Sequence, residues 1–285
     1  MLYRLSANEI DRLIEEDVPY GDLTTTLLGI GDRDAEILFR TRENTVVCCT
    51  EEAALVLERC GASVTFLLKS GTPVNPGETI LSAKGTAQSL HSGWKVALNL
   101  LEYASGIATR TKETIARAKE VNPEIAVVTT RKSFPGTKRI ALKAIMAGGA
   151  MPHRLGLSET ILVFREHTRF LDNRNSFSET VGLLKKSSPE HKIIAEADST
   201  DDALYLAAAG VDIVQVDKLQ PEELHDLTTK IKKKFPGITV SAAGGINRDN
   251  AAAYAATGID IIVISSVYFG KPSDIGVLLQ PYQSC

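Results

Sequence analysis

Residues 193–245 read IIAEADSTDDALYLAAAGVDIVQVDKLQPEELHDLTTKIKKKFPGITVSAAGG, and this stretch decides the fold class. Three short apolar runs, Ile193–Ala197, Ile213–Val216 and Thr239–Ala242, alternate with two longer amphipathic segments, Thr200–Ala209 and Pro221–Phe235. Runs of this length with little polar alternation suit strands covered on both faces. Strand–helix alternation then predicts a parallel sheet with helices against it. Outward in both directions the pattern continues. Ile125–Thr129, Thr160–Phe164 and Ile261–Ser265 read as further strands, and Arg248–Ala255 as another helix. Six such units could close into a short barrel of the TIM type, and an open doubly wound sheet is the alternative; periodicity does not separate them. The charge run at Lys230 and Lys232–Lys234 reads as a solvated face near a helix C-terminus.

The N-terminal part reads differently. Ser6–Glu16 is a helix with a capping box, Ser6 followed three residues later by Glu9. Asp17–Thr25 reads as a polar surface loop. Ala35–Thr41, Thr45–Cys49, Ser63–Leu68 and Thr79–Ala83 look extended, and Pro76-Gly77 marks a turn. Glu51–Arg59 is a helix stopped by Gly61. Gln88 to about Lys119 is helical, with Gly93 and Gly106 as weak points that suggest two helices. The first part is therefore an α+β unit with a small sheet, joined by this helical stretch to the alternating part.

In parallel α/β folds, chemistry gathers where strands end at their C-termini. The ends here carry Arg131-Lys132, then Glu196 with Asp198, then Asp217-Lys218, then Ala243-Gly244-Gly245, then Ser265-Ser266. A glycine turn after a strand can hold a phosphate on backbone N–H groups, and barrel phosphate sites often use two neighbouring late loops. Glu196 and Asp217 on successive strands suit Mg²⁺ or a developing cation. Between residues 129 and 159 stand two basic clusters: Arg131, Lys132, Lys138 and Arg139 around Pro135-Gly136, and His153-Arg154 after Gly148-Gly149. Between them lies a helix with Ile140, Leu142, Ile145 and Met146 on one face. Fixed cations beside glycines suit an anion, and the two clusters are expected to line one pocket.

Composition narrows the ligand. The formal net charge of the 285-residue chain is −3, so no bulk attraction to nucleic acid exists and the basic clusters serve something small. The length allows about two domains or one large barrel. Cys48, Cys49, Cys60 and Cys285 lack metal-type spacing, so reduced thiols in a cytosolic protein are expected. There is no signal-peptide pattern at the N-terminus and no apolar run approaching the roughly 18 residues of a membrane span, so a soluble, cytoplasmic protein is expected.

TRKSFPGTK followed by GGAMPHRLGLSE resembles the signature of the quinolinate phosphoribosyltransferase (nicotinate-nucleotide pyrophosphorylase) family, the type II phosphoribosyltransferases. Glu16-Asp17 with Gly21-Asp22-Leu-Thr24-Thr25, Ala97-Leu98-Asn99, and Ser105-Gly106-Ile107-Ala108-Thr109 are similar to further family motifs, so the likeness spans nearly the whole chain. It implies an N-terminal α/β sandwich with a linking helix over residues 1–108. An incomplete α/β barrel at 109–270 and a C-terminal tail at 271–285 packing on the first domain complete the implied fold. It implies a glycosyltransferase that joins a heteroaromatic base to phosphoribosyl pyrophosphate with Mg²⁺, working as a homodimer or larger oligomer with a shared active site. Carried onto this chain, Lys132, Glu196 and Asp217 are catalytic, and Glu196 and Asp217 also hold the metal. Arg131, His153, Arg154, Phe164 and, from a neighbouring subunit, Lys95 bind the base. Ala243, Gly244, Gly245, Ser265 and Ser266 hold the 5′-phosphate.

The chain departs from the family pattern at five places. Lys95 stands for an Arg, Pro152 for an Asn, Phe164 for a Lys, Ile194 for an acidic residue and Ser241 for a Glu. Losing the lysine at 164 removes a grip on a second carboxylate, so a dicarboxylate is expected to bind less well. SFPGTK, PHRLGLSETIL and His167 are similar to the ModD branch, which is associated with molybdenum transport. Two other functions are kept beside the transferase. One is a non-enzymatic molybdate or oxyanion binder using the same cations. The other is a lyase with Lys132 or Lys218 as a Schiff-base amine.

Overall fold

Ser6 caps the first helix as its capping box requires: its hydroxyl accepts from Glu9 N–H, and the Glu9 carboxylate accepts from Ser6 N–H at 2.8 Å. The computed structural model describes residues 3–171 and 177–282; Cys285 and the last residues of the expected tail lie outside them. In chain order the elements are α1 (Ala7–Asp17), α2 (Leu23–Leu28), β1 (Asp34–Thr41), β2 (Thr45–Val46), α3 (Thr50–Arg59), β3 (Ser63–Leu67), β4 (Pro73–Val74), β5 (Thr79–Thr86) and α4 (Ala87–Val121). Next come β6 (Ala126–Thr129), α5 (Lys138–Ala147), β7 (Met151–Pro152), β8 (Ile161–Val163), α6 (Arg165–Thr168) and α7 (Phe177–Ser187). Then β9 (Ile193–Ala197), α8 (Thr200–Ala208), β10 (Ile213–Asp217), α9 (Pro221–Lys234), β11 (Thr239–Ala243), α10 (Ala251–Ala255), β12 (Ile261–Ile264) and β13 (Ile275–Pro281) complete the order.

These elements pack as two units. The first holds residues 1–112, 133–149 and 268–285, and the second holds 113–132 and 150–267. In the first, β13-β1-β5-β3 form an antiparallel sheet, with β2 and β4 as a separate antiparallel pair. Alternation along β1 sends Ile37 and Phe39 inward, where they meet Leu57 of α3 and Leu101 of α4 in one core.

Three expectations for this part need correction. Asp17–Thr25 is not all loop: Asp22 caps α2, accepting from Thr24 N–H at 3.0 Å and Thr25 N–H at 3.4 Å. The extended stretch Thr45–Cys49 forms a ladder only at Thr45–Val46, and Cys49 takes a left-handed backbone, φ 57°, at the start of α3. Finally, α4 is one helix of 35 residues. Its glycines are contacts rather than breaks. A Cβ at Gly93 would sit 3.2 Å from Leu57, and one at Gly106 would sit 2.9 Å from the Lys271 carbonyl.

The basic cluster around Pro135-Gly136 also divides differently from the expectation. Arg139 ion-pairs with Glu9 at 2.9 Å, and both belong to the first unit. Gly148 is needed for packing, since a Cβ there would meet the Ala108 carbonyl at 2.5 Å. On α5, Lys143 is buried and bonds both Glu51, at 2.8 Å, and Glu52.

In the second unit seven parallel strands lie in the order β7-β6-β12-β11-β10-β9-β8. This order is decisive between barrel and open sheet. Sequence order runs steadily from β8 to β12, and the last strand returns to pair with the first, β6, at Ile264↔Thr129. A doubly wound sheet reverses direction at a switch point instead. No ladder joins β7 to β8 among the described residues, so the barrel is incomplete. All six strands read from the sequence are present; the seventh, Met151–Pro152, is too short to have left a periodic signal.

Candidate active site

Because the strands are parallel, their C-terminal ends share one rim. In ring order the rim carries His153 after β7, Arg131 after β6, Ser265 after β12 and Gly244 after β11. Asp217 at the end of β10, Glu196 in β9 and Phe164 after β8 follow. Positions more than 130 residues apart in the chain, such as Arg131 and Ser265-Ser266 either side of the β6–β12 ladder, thus become neighbours. Lys132 is exposed on the same loop as Arg131, with its N–H donating to Thr130 Oγ1 at 3.3 Å. Lys95 is exposed on α4 in the first unit.

The acidic side is built by sheet register. Gln215 of β10 pairs with Glu196 of β9, and Asp217 with Ala243 of β11. Gln215 Nε2 donates to Glu196 Oε2 at 2.7 Å. Burial pushes the Glu196 carboxyl above its ordinary range; the Gln215 bond opposes this, while the charges of Asp217, Asp198 and Glu166 add to it. Asp217 lies 3.5 Å from Lys218 Nζ, an exposed pair of small energetic weight. Lys218 has φ 60°, and its N–H donates to the Ala243 carbonyl at 2.8 Å. This left-handed residue folds the chain back over the neighbouring turn, which is why a Cβ on Gly244 would lie 2.5 Å from Asp217 Oδ1.

The glycine turn is held from below. Gly244 and Gly245 both have positive φ, 90° and 76°. Asn250 Nδ2 donates to the Gly245 carbonyl at 3.2 Å, and Ser266 Oγ donates to the Ile246 carbonyl at 2.9 Å. Two details differ from the sequence reading. The helix after the turn starts only at Ala251, so any backbone N–H groups offered to a ligand here belong to the turn itself. The Ser266 hydroxyl proton is already committed to Ile246, which leaves that residue's backbone, not its hydroxyl, as a donor.

On the basic side, His153 N–H donates to the Thr129 carbonyl at 2.9 Å, fixing the start of this segment beside β6. Burial pushes the His153 imidazole below its usual value, and the Arg154 charge pushes the same way. Arg154 is itself lowered, first by burial and then by Arg131. Two guanidinium groups that repel one another, with no carboxylate partner to either among the described residues, are suited to an anionic ligand. Arg154 lies 5.9 Å from the Phe164 ring centre, and Phe164 stacks on His167 at 5.8 Å and 16°. Phe164 N–H donates to His167 Nδ1 at 3.0 Å, so the neutral ring carries its proton on Nε2. A cavity of about 450 Å³ opens beside Phe164 and Glu196, edged by Arg165, Asp198 and Tyr205.

Asp198, read from the sequence at the end of its strand, pairs with Arg165 at 3.0 Å; Arg165 and Gln215 were not among the sequence candidates. Gln215 alternates with Asp217 along β10, so its inward face was readable from the strand pattern. Among the described residues no group of three or more His, Cys, Asp or Glu side chains could hold a metal by itself. Glu196 and Asp217 are two mutually unfavourable carboxylates, a donor set that fits a hard cation completed by phosphate oxygens and water.

The chain is similar to known proteins in both sequence and fold. The sequence matches the quinolinate phosphoribosyl transferase N-terminal domain over residues 22–105 and the C-terminal domain over residues 107–277. It is 39% identical over 280 residues to a ModD protein of Pasteurella multocida, named for a pyrophosphorylase, covering 98% of this chain and 99% of that one. A protein of Methanothermobacter thermautotrophicus named for a carboxylating nicotinate-nucleotide pyrophosphorylase is 32% identical over 258 residues, covering 89% of this chain and 91% of that one. The nicotinate-nucleotide pyrophosphorylase structure from Francisella tularensis superposes with a TM-score of 0.87 over 98% of both chains at 24% identity, a likeness of fold. With both domains matched in order along the chain, this protein belongs to the quinolinate phosphoribosyl transferase family.

Proposed function

We propose that the protein is a phosphoribosyltransferase of the nicotinate-nucleotide pyrophosphorylase type, forming or breaking the bond between ribose C1 of phosphoribosyl pyrophosphate and a nitrogen of a heteroaromatic base. The observation that carries this reading is the rim order: cations, glycine turn and carboxylates follow one another around a single barrel mouth. The turn N–H groups of Gly244 and Gly245, with Ala243, Ser265 and the Ser266 backbone, hold the 5′-phosphate. Glu196 and Asp217 face the ribose, where their charge offsets the positive charge that grows at C1 as the bond to pyrophosphate lengthens. Glu196 and Asp217 would also hold Mg²⁺, which would supply charge neutralisation on the leaving group. Lys132 bonds the departing pyrophosphate oxygens. Arg131, His153 and Arg154 orient the base through an anionic substituent, and the Phe164 face stacks on its ring. Lys95 of a second copy completes the base site in a homodimer.

Pyrophosphate release over a panel of pyridine and other heteroaromatic carboxylates, with Mg²⁺ and phosphoribosyl pyrophosphate, tests the proposal. Release with at least one base is expected, and silence with every base from folded protein sinks it. A second reading, a non-enzymatic oxyanion binder linked to molybdenum through the name of its relatives, draws on the unneutralised pair Arg131 and Arg154. Calorimetry with molybdate and with phosphoribosyl pyrophosphate separates them: tight molybdate binding without phosphoribosyl pyrophosphate binding favours the binder.

A further inference from the structure

Gln215 is 4% exposed in the middle of β10, where the neighbouring strand residues Val214 and Val216 are apolar. Register places Glu196, Gln215 and Ser241 in one row across three adjacent strands, one level below Asp217 on the same face. The amide makes one hydrogen bond, from Nε2 to Glu196 Oε2 at 2.7 Å. Its Oε1 has no donor among the described residues, because Ser241 Oγ points to the Val214 carbonyl at 3.5 Å instead. With Glu196 ionised the amide presents Nε2 to it, since a carboxylate only accepts and a flipped amide would oppose two oxygens. Burying an amide with an unmatched oxygen disfavours folding, and an apolar side chain of the same length would avoid that penalty.

We infer that Gln215 is a positioning residue: it clamps one oxygen of Glu196, fixes the plane of the carboxylate, and leaves the other oxygen directed at the ribose. The inference rests on the role assigned to Glu196 in the preceding section. Because the clamp acts only through Glu196, it predicts coupling rather than a general loss. Removing the bond lets the carboxylate rotate on a side chain with three free torsions, so the population correctly aimed at the transition state falls while ground-state binding through the phosphate turn and the cations persists.

The test is a double-mutant cycle of Gln215→Met and Glu196→Gln, read in pyrophosphate release, with a crystal structure of Gln215→Met. For Gln215→Met in the wild-type background, kcat should fall about tenfold or more, the size expected for one hydrogen bond to a charged group. KM for phosphoribosyl pyrophosphate should stay within about twofold, and in the Glu196→Gln background the same change should add less than about twofold. Additive losses, or an unchanged kcat, overturn the clamp. The crystal structure reads it without any substrate: Glu196 in more than one orientation supports the inference, and Glu196 unmoved refutes it even if the protein proves not to be a transferase. Absence of activity in the wild type therefore sinks the transferase reading, whereas a fixed Glu196 sinks the clamp. Should the Met variant fail to fold, Gln215→Asn, one methylene too short to reach, carries the same expectations.

Discussion

The Arg154 guanidinium lies 5.9 Å from the centre of the Phe164 ring, and the contact spans the interval between β7 and β8 that no ladder closes among the described residues. A cation over an aromatic face is attracted by the ring quadrupole. The pair therefore presents a flat apolar surface with one positive edge, backed by His167. On the proposed role of this surface, a planar base with a single carboxylate is expected to match it better than one with two.

Replacing the ring tests that match. Phe164→Ala is expected to raise KM for the base about tenfold while KM for phosphoribosyl pyrophosphate stays nearly constant, the weight of one lost stacking contact. Phe164→Lys should shift the preference between mono- and dicarboxylates about tenfold towards the dicarboxylate, by supplying a charge-assisted bond. Competition binding over paired bases reads both. An unaltered preference in the lysine variant would place the base elsewhere.

The two glycines of the β11 turn differ in a way that separates strain from collision. Gly245 has φ 76° with no atom within 4 Å of an added Cβ, so Gly245→Ala carries only the left-handed penalty of about 1–2 kcal/mol. Gly244→Ala adds a Cβ 2.5 Å from Asp217 Oδ1 and 2.9 Å from Lys218 N, and something must move. Stability of both variants by urea titration should drop, and phosphoribosyl pyrophosphate affinity should fall well over tenfold only in Gly244→Ala, where Asp217 is displaced. Equal affinities in the two would disconnect the turn from the carboxylate.

His153 has a folded pKa below its unfolded value, through burial first and Arg154 second. Between the two values the unfolded chain holds more protons, so this residue's contribution to stability is present above about pH 6.5 and is lost as the pH falls. An NMR titration should place the His153 midpoint under the ordinary histidine value. Arg154→Met should move it upward while leaving the burial component. A midpoint unmoved by that substitution would mean Arg154 does not act on the ring.

In the first unit, burial opposes ionisation of Glu51, yet hydrogen bonds from Lys143 and Ser70 hold its pKa down to about 2. That stability is present above the unfolded carboxylate range, near pH 4.5, and disappears as the pH falls towards 2. Lys143→Met leaves two carboxylates without their cation and should cost roughly 3–5 kcal/mol in urea unfolding. Adding Glu51→Gln and Glu52→Gln should recover most of it, since the penalty lies in unpaired charge. A loss under 1 kcal/mol, the range of an exposed pair, would contradict the buried position of Lys143.

What could be read in advance depended on whether the signal was local. The capping box at Ser6, the Gly61 stop and the six apolar strands are short-range patterns, and each lies where the sequence indicates. Gly93 and Gly106 misled because a glycine required for close packing and a glycine that breaks a helix look alike in sequence. Lys143 stayed hidden for a related reason: beside Leu142 and Ala144 it reads as a solvated residue, and only Glu51 and Glu52, more than 90 positions away, make its burial tolerable. Arg139 was grouped with Arg131 by proximity in the chain, but its partner is Glu9.

By itself the sequence determined the candidate residue types of the site, the glycine turn and the family likeness, because these are carried by contiguous motifs. Only the tertiary structure decided that the strand order closes through β6 and β12. That pairing is long-range and leaves no trace in periodicity. It alone brings the cations, the glycine turn and the carboxylates to one rim, and it sets Gln215 against Glu196.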